Sequence, residues 1–246
     1  MPRFFVKTEQ IREKEIIIIE EDVKHIKNVL RKKIGDILEI CNQQTGKTYK
    51  CEIIDLQDDK ILTNIIDEND NEGNKIQVDI YQGLPKADKM ELIIQKSIEL
   101  GVNAIIPVEM KRCIVKLDSK SESKKIERWQ KIAESAAKQS GRNFVPEIRN
   151  ILKIEDIAKL TNIYDSIIVC YENEKENYIK NELLKLKNKE NVKIAVIIGP
   201  EGGLEETEVE FLKQNGASVI TLGNRILRTE TVALNLLSII MYELEN

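Results

Sequence analysis

The chain has 246 residues, of which 41% are hydrophobic and 33% charged, with a formal net charge of −4 and a pI near 5.4. This is the composition of a folded soluble protein with one large or two modest domains; it excludes a fibrous or disordered chain, and its acidic balance taken alone argues against a nucleic-acid partner. Apolar stretches such as Ile16 to Ile19 and Leu236 to Met241 fall far short of the roughly 20 residues of a membrane helix.

The first residues, Met1 to Lys7, lack the apolar core and small-residue cleavage site of an export signal, so a cytoplasmic protein is expected. Two strand-like runs, Phe4 to Val6 and Ile16 to Ile19, are followed by a helical pattern from Asp22 to Leu30 with Val23, Ile26, Val29 and Leu30 on one face. Lys24, Lys27, Arg31, Lys32 and Lys33 cluster around that segment, which also holds the single histidine, His25. This local basic run offsets the acidic average and makes a cationic RNA track one reading of this region; a solvated face is the other. Strand patterns at Ile37 to Cys41, Thr48 to Asp55 and Ile61 to Asp67, separated by polar turns, point to a small antiparallel barrel with one helix. Cys41, Cys51, Cys113 and Cys170 form no C-x-x-C pair, so neither a metal site nor a disulfide framework is expected and the four read as small buried hydrophobes.

Asp67 to Asn74 is acidic, lacks any apolar residue and ends in Gly73-Asn74, the composition of a linker. Beyond it the pattern changes to alternation. Strands are expected at Ile76 to Gln82, Ala104 to Val108, Ser166 to Tyr171, Ile194 to Ile198 and Val219 to Leu222. Helices are expected at Asp88 to Leu100, Ser123 to Gln139, Ile154 to Leu160, Glu176 to Leu186, Glu205 to Gln214 and Glu230 to Leu244. Such alternation implies an α/β fold with a mostly parallel sheet covered on both faces. The last helix is apolar over more than one face, which predicts deep burial or a shared surface with a second copy through residues such as Leu237 and Ile240.

Two glycine turns, Ile198-Gly199-Pro200-Glu201-Gly202-Gly203 and Leu222-Gly223-Asn224-Arg225-Ile226-Leu227-Arg228-Thr229-Glu230-Thr231, each close a short strand and precede a helix. Ligands in α/β sheets sit at such strand ends. Neither turn matches a dinucleotide or nucleotide-triphosphate fingerprint, and Glu201 inside the first would repel phosphate. A neutral, zwitterionic or cationic ligand fits better, and adenosyl compounds bearing a sulfonium fit well.

The same residues resemble a known family. Arg3-Phe4-Phe5, His25 with Val29-Leu30-Arg31, Gly83-Leu84-Pro85-Lys86 with Asp88-Lys89-Met90, Gln95-Lys96 with Glu99-Leu100-Gly101-Val102, Arg112, Trp129, Glu134 through Arg142, Pro146 and the two glycine turns together are similar to the ribosomal RNA small-subunit methyltransferase E family of the SPOUT superfamily. The resemblance covers nearly the whole chain. It implies a PUA-like RNA-binding β-barrel in 1–72 and a SPOUT methyltransferase domain in 73–246. The latter would hold a deep trefoil knot, with the S-adenosylmethionine site within 166–231. It also implies a homodimer and methylation of a 16S rRNA uridine at N3, an atom on the pairing edge, so the target base must be unpaired or extruded first.

Residue roles follow from the resemblance. Arg228 is expected to stabilise the uridinate oxygens, and Glu230, with Glu201 behind it, to accept the proton, because no histidine lies beyond the linker. Cofactor contacts are expected from Cys170, Tyr171, Gly199, Glu201, Gly202, Leu222, Gly223, Ile226, Leu227 and Thr231. RNA contacts are expected from Arg3, His25, Arg31, Lys86, Arg112, Arg142 and Arg225, with 16S rRNA within the small ribosomal subunit as the partner and neither a metal nor a membrane involved. Two alternatives stay open at this point: a related enzyme acting on another RNA position, and a non-catalytic RNA-binding assembly factor.

Overall fold

The computed structural model describes residues 3–70 and 75–245. The chain divides into two compact units, one of residues 1–73 with 137–145 and the other of 74–136 with 146–246.

The first unit is built on strands β1 (Arg3–Val6), β2 (Glu15–Ile19), β3 (Ile37–Asn42), β4 (Thr48–Leu56) and β5 (Lys60–Asn69), in the order β1-β3-β4-β5-β2. Its pairs are antiparallel except β1 with β3, which run parallel, so the sheet is mixed where the turns alone suggested a purely antiparallel one. Alternation puts Phe4, Ile16, Ile18, Leu38, Ile40 and Ile53 inside. Two register shifts between β4 and β5 curl the sheet over this core. The helix expected from Asp22 to Leu30 is shorter: α1 (Glu21–Lys24) passes into one π turn, His25–Val29, closed by Leu30 N–H donating to His25 O at 2.9 Å. The chain then leaves through Arg31 at φ +51°. Val23 and Ile26 are buried and Leu30 packs against the same core, whereas Val29 is 70% exposed, so one of the four residues of the expected apolar face is unused. Part of the expected linker is strand. Asp67, Glu68 and Asn69 pair with Lys50, Tyr49 and Thr48, and Lys47 reaches Glu68 at 2.8 Å and Asp70 at 3.2 Å. Backbone pairing and these ion pairs hold a stretch with no apolar side chain; residues 71–74 lie outside the described residues.

The second unit contains β6 (Ile76–Gly83), α2 (Lys89–Glu99), β7 (Ala104–Glu109), α3 (Ser119–Ser140, whose end belongs to the first unit), β8 (Glu147–Ile148), β9 (Leu152–Lys153), α4 (Ile154–Ile157), β10 (Ser166–Cys170), α5 (Ile179–Leu184), β11 (Val192–Ile198), α6 (Glu206–Gln214), β12 (Ser218–Ile220) and α7 (Thr229–Leu244). The sheet order is β12-β10-β11-β6-β7-β8, with β9 also on β7, and every pair is parallel. Central strands such as Ile194 to Ile198 are buried on both faces, which explains their unbroken apolar runs. Gly101 and Gly216 end α2 and α6 at φ +100° and +90°, where an L side chain is strained. Trp129, on α3, is buried, and Lys125 stands over its ring.

After β11 the chain passes through α6 to β12, on the far side of β10, and then returns to the end of β11, where Thr229 Oγ1 donates to Gly199 O at 2.7 Å. This there-and-back path is the one from which the expected knot is built. The breadth of the apolar surface of α7 has an internal cause, because the helix packs on α2, α5, β6 and β11. Leu237 and Ile240 are 1% and 0% exposed within their own chain, so they are core residues and not the intersubunit contacts the pattern allowed.

A partly buried polar network crosses β6. Asp79 accepts from Tyr164 Oη at 2.8 Å and Asn103 Nδ2 at 2.7 Å, Arg149 stands at 3.4 Å, and Tyr164 shares a 2.8 Å hydrogen bond with Tyr81. Burial first, then Tyr81 and Asp79, push the Tyr164 hydroxyl far above the ordinary tyrosine range, so it stays a donor. Asp79→Ala strips this donor set of its acceptor and is expected to destabilise the protein by about 3 kcal/mol in denaturant unfolding. An unchanged midpoint would show the network to be dispensable.

Candidate active site

The C-terminal ends of β10, β11 and β12 enclose a cavity of about 770 Å³. The first wall is the Gly199–Gly203 turn. Gly203 N–H donates to Pro200 O at 2.9 Å, and Gly203 sits at φ +71°. A Cβ on Gly199 would stand 2.9 Å from Gly203 C and 3.0 Å from Leu204 N, so the turn closes this tightly only around glycine. Arg112 Nη1 donates to Gly202 O at 3.0 Å and braces the turn from outside.

The second wall is the return loop from Thr221 to Arg228. Gly223, at φ +107°, turns it, and Thr221 Oγ1 accepts from Gly223 N–H at 3.2 Å. The loop is pinned where it meets α7: Gln82 Nε2 donates to Thr229 Oγ1 at 2.8 Å, and Thr229 passes a hydrogen bond on to Gly199 O. The ends of β6, β11 and α7 thus meet in one buried relay. The third wall begins at Cys170 and Tyr171, with Tyr171 N–H bonded to Ile220 O at 3.1 Å. Burial pushes the Cys170 thiol up to about 12, so it is a neutral wall group and not a nucleophile. Glu174 accepts from the N–H groups of Lys175, Glu176 and Asn177 and shapes the rest of this loop.

One lysine joins the walls. Lys89 Nζ lies 3.3 Å from Glu201 Oε1 and 3.2 Å from Glu230 Oε2. Glu201 Oε1 also accepts from the Lys86 N–H at 3.0 Å. Burial would raise the Glu201 carboxyl, but its own backbone N–H, the Lys86 N–H and the Lys89 ammonium outweigh burial and hold it below the ordinary carboxylate range. For Lys89 burial is again the largest influence and lowers its pKa; the adjacent Glu230 and Glu201 carboxylates reverse this and keep it above the ordinary lysine range.

Of the residues singled out by sequence for a cofactor, Cys170, Tyr171, Gly199, Glu201, Gly202, Leu222, Gly223, Ile226 and Leu227 line this cavity, whereas Thr231 lies exposed on α7 outside its lining. Arg228 and Arg225 line it too, and among the described residues neither guanidinium has a carboxylate or hydrogen-bond partner. Glu230 is set behind Lys89, away from the lining. Lys86 and Arg112 are exposed beside the first turn. In the first unit, Arg3 bonds to Glu39 at 3.2 Å and to Gly141 O and Asn143 Oδ1. There too, His25 meets the Phe4 ring edge-on at 6.0 Å, Arg142 lies over Phe144 at 4.7 Å, and Arg31 is exposed. Sequence reasoning missed Lys89 and Glu172 as cavity residues. Lys89 stood in a recognisable segment, but nothing local announces that two distant carboxylates converge on it. No group of three His, Cys, Asp or Glu side chains able to hold a metal occurs among the described residues, and no described helix is long and apolar enough to cross a membrane.

Comparison with known proteins gives this geometry a family. Residues 72–241 match a model described as an RNA methyltransferase domain, and residues 18–66 one described as an RNA methyltransferase PUA domain. The ribosomal RNA small subunit methyltransferase E of Bacillus subtilis (strain 168) is 40% identical over 251 residues, covering 100% of this chain and 98% of its own. That of Mesomycoplasma hyopneumoniae (strain 232) is 32% identical, covering 97% and 98%. A crystal structure of the corresponding protein from Neisseria gonorrhoeae, bound to S-adenosyl methionine, superposes with a TM-score of 0.80 at 30% identity, covering 98% of this chain and 97% of that one. The agreement runs through both units and both glycine turns, and the chain belongs to the ribosomal RNA small subunit methyltransferase E family.

Proposed function

We propose that this protein is an S-adenosylmethionine-dependent methyltransferase of the small-subunit ribosomal RNA, acting on N3 of a uridine in 16S rRNA. The observation that carries the reading is the cavity itself, formed by two glycine turns at parallel strand ends in a chain of this family. The residues present fit the cofactor. Gly199, Gly202 and Gly223 bring bare backbone to the cavity lining with no side chain in a ligand's way, Cys170 and Tyr171 supply a partly apolar wall, and ionised Glu201 disfavours a phosphate in the same place. When bound, S-adenosylmethionine supplies an electrophilic methyl group on sulfonium.

The chain's own residues must hold the base, shed its N3 proton and stabilise charge on O2 and O4. Uracil N3 lies on the pairing edge, so the target base has to be unpaired or extruded before it enters. Arg228, at the start of α7 and unpaired among the described residues, presents a fork of N–H donors to the cavity. The first unit, with exposed Arg31 and Lys24 beside its π turn, positions RNA. Because the net charge is −4, long-range attraction for a polyanion is weak and recognition leans on a shaped target. Assembled small subunits are therefore expected to be methylated faster than protein-free 16S rRNA at physiological salt; equal rates would overturn the charge argument. The reading includes a cytoplasmic homodimer, for which Tyr242, 72% exposed at the end of α7, is the natural contact. Tyr242→Asp should lower the mass measured by light scattering.

The deciding experiment is mass mapping of 16S rRNA from cells with and without this protein. The reading requires one uridine to lose an N3-methyl group in its absence, and a modification at a ribose or in transfer RNA would replace the reading.

A further inference from the structure

The carboxylates around Lys89 outnumber it, and their arrangement assigns roles. A lysine ammonium has three N–H donors. Two directions are occupied, toward Glu201 at 3.3 Å and Glu230 at 3.2 Å, and Lys89 itself lines the cavity. Glu201 is already bound by the Lys86 N–H, and its low pKa makes it a poor base. Glu230 does not line the cavity; its Oε2 is buried, faces the ammonium as an ion pair and has no aligned hydrogen bond. Glu201 reaches the cavity only as an ionised carboxylate already bound by Lys86 and Lys89, and Glu230 stays off the lining, whereas the ammonium lines the cavity with a donor to spare.

We propose that Lys89 is a catalytic residue whose third N–H donates to one of the carbonyl oxygens flanking uracil N3, opposite the donors of Arg228, and that Glu201 and Glu230 are its anchors and not proton acceptors. The inference rests on the methyltransferase reading above and deepens it. Uracil N3 gives its proton to solvent, and the negative charge spreads onto O2 and O4, where the two cations meet it. N3 then forms its bond to the methyl carbon while the carbon–sulfur pair returns to sulfur, leaving a neutral thioether and a neutral methylated base. Glu201 after β11 and Glu230 at the start of α7 stand at ion-pair distance from the ammonium, and Glu172, Glu174, Lys175, Arg225 and Arg228 are the other charged groups on the lining of the same cavity. Lys89, with its pKa raised, stays an ammonium at neutral pH, so it acts as a donor and not as a base.

The test compares the full-length wild type with Lys89→Met, Lys89→Arg and Glu230→Gln. Single-turnover methylation is measured on small subunits from cells lacking this protein, from neutral to alkaline pH, and binding of S-adenosylhomocysteine is measured by calorimetry. Lys89→Met should be about 100-fold slower at neutral pH, the size of effect seen when one preorganised charge-stabilising donor is removed. The deficit should shrink as pH rises, because hydroxide then deprotonates N3 without help. S-adenosylhomocysteine binding should stay within about threefold, and Lys89→Arg should recover at least tenfold. Glu230→Gln should be less than tenfold slower with an unchanged pH dependence. A deficit that is equal at every pH assigns Lys89 a structural role and overturns the proposal. So does loss of S-adenosylhomocysteine binding in Lys89→Met, or a Glu230→Gln profile that has lost its rise with pH. If the wild type transfers no methyl group, the methyltransferase reading falls first and the inference falls with it.

Discussion

Arg228→Ala is expected to slow methyl transfer by about 100- to 1,000-fold, the range for removing a donor aimed at developing charge. The guanidinium lines the cavity and has no partner among the described residues, so nothing in the fold is lost with it. The thermal midpoint and the affinity for S-adenosylhomocysteine should therefore hold while the rate of the chemical step collapses. Arg228→Lys should recover only part of the rate, because a point ammonium does not reproduce a planar fork of donors. The decisive measurement is single-turnover methylation of small subunits with saturating methyl donor. A rate within fivefold of the wild type would remove Arg228 from the chemistry.

Gly83→Ala is expected to damage the site through packing. A Cβ there would stand 2.7 Å from both N and Cδ of Pro200 and 2.8 Å from Met110 Sδ. The methionine can swing aside, but the proline backbone belongs to the first glycine turn and is fixed by the Gly203 hydrogen bond. The turn must move, so overpacking should cost about 1–3 kcal/mol in unfolding. Calorimetry should show S-adenosylhomocysteine binding weakened by more than tenfold. Unchanged binding with normal stability would mean that the turn has slack that these distances deny.

Much of this was legible in the sequence because it is written locally. Unbroken apolar runs such as Ile194 to Ile198 marked strands covered on both faces, and the alternation after residue 75 marked a parallel sheet. Both glycine turns announced the cavity, since their backbone demands can be read from residue type. What escaped depends on partners far apart in the chain. The parallel pairing of β1 with β3 leaves no trace in either strand's own pattern. The polar end of β5 read as linker because its support comes from the backbone of β4 and from Lys47. Leu237 and Ile240 looked available for a second copy because periodicity shows how wide an apolar surface is, not which neighbours cover it. Lys89 escaped for the same reason, its carboxylates lying 112 and 141 positions further along the chain.

The relay through Thr229 also bears on how the protein acquires its shape. Its hydroxyl joins Gln82, 147 positions away, to Gly199, 30 positions away. Closing so long a span is slow, because chain entropy is lost before the contact forms, and parallel sheets with distant pairings fold slowly for that reason. The return loop can be seated only after β6, β11 and β10 are in register, since it lies across their ends. Folding is therefore expected to show a late phase in which the sheet is complete but the cavity is not. Ligand added during refolding should leave the early phases unchanged and stabilise only the product of the last.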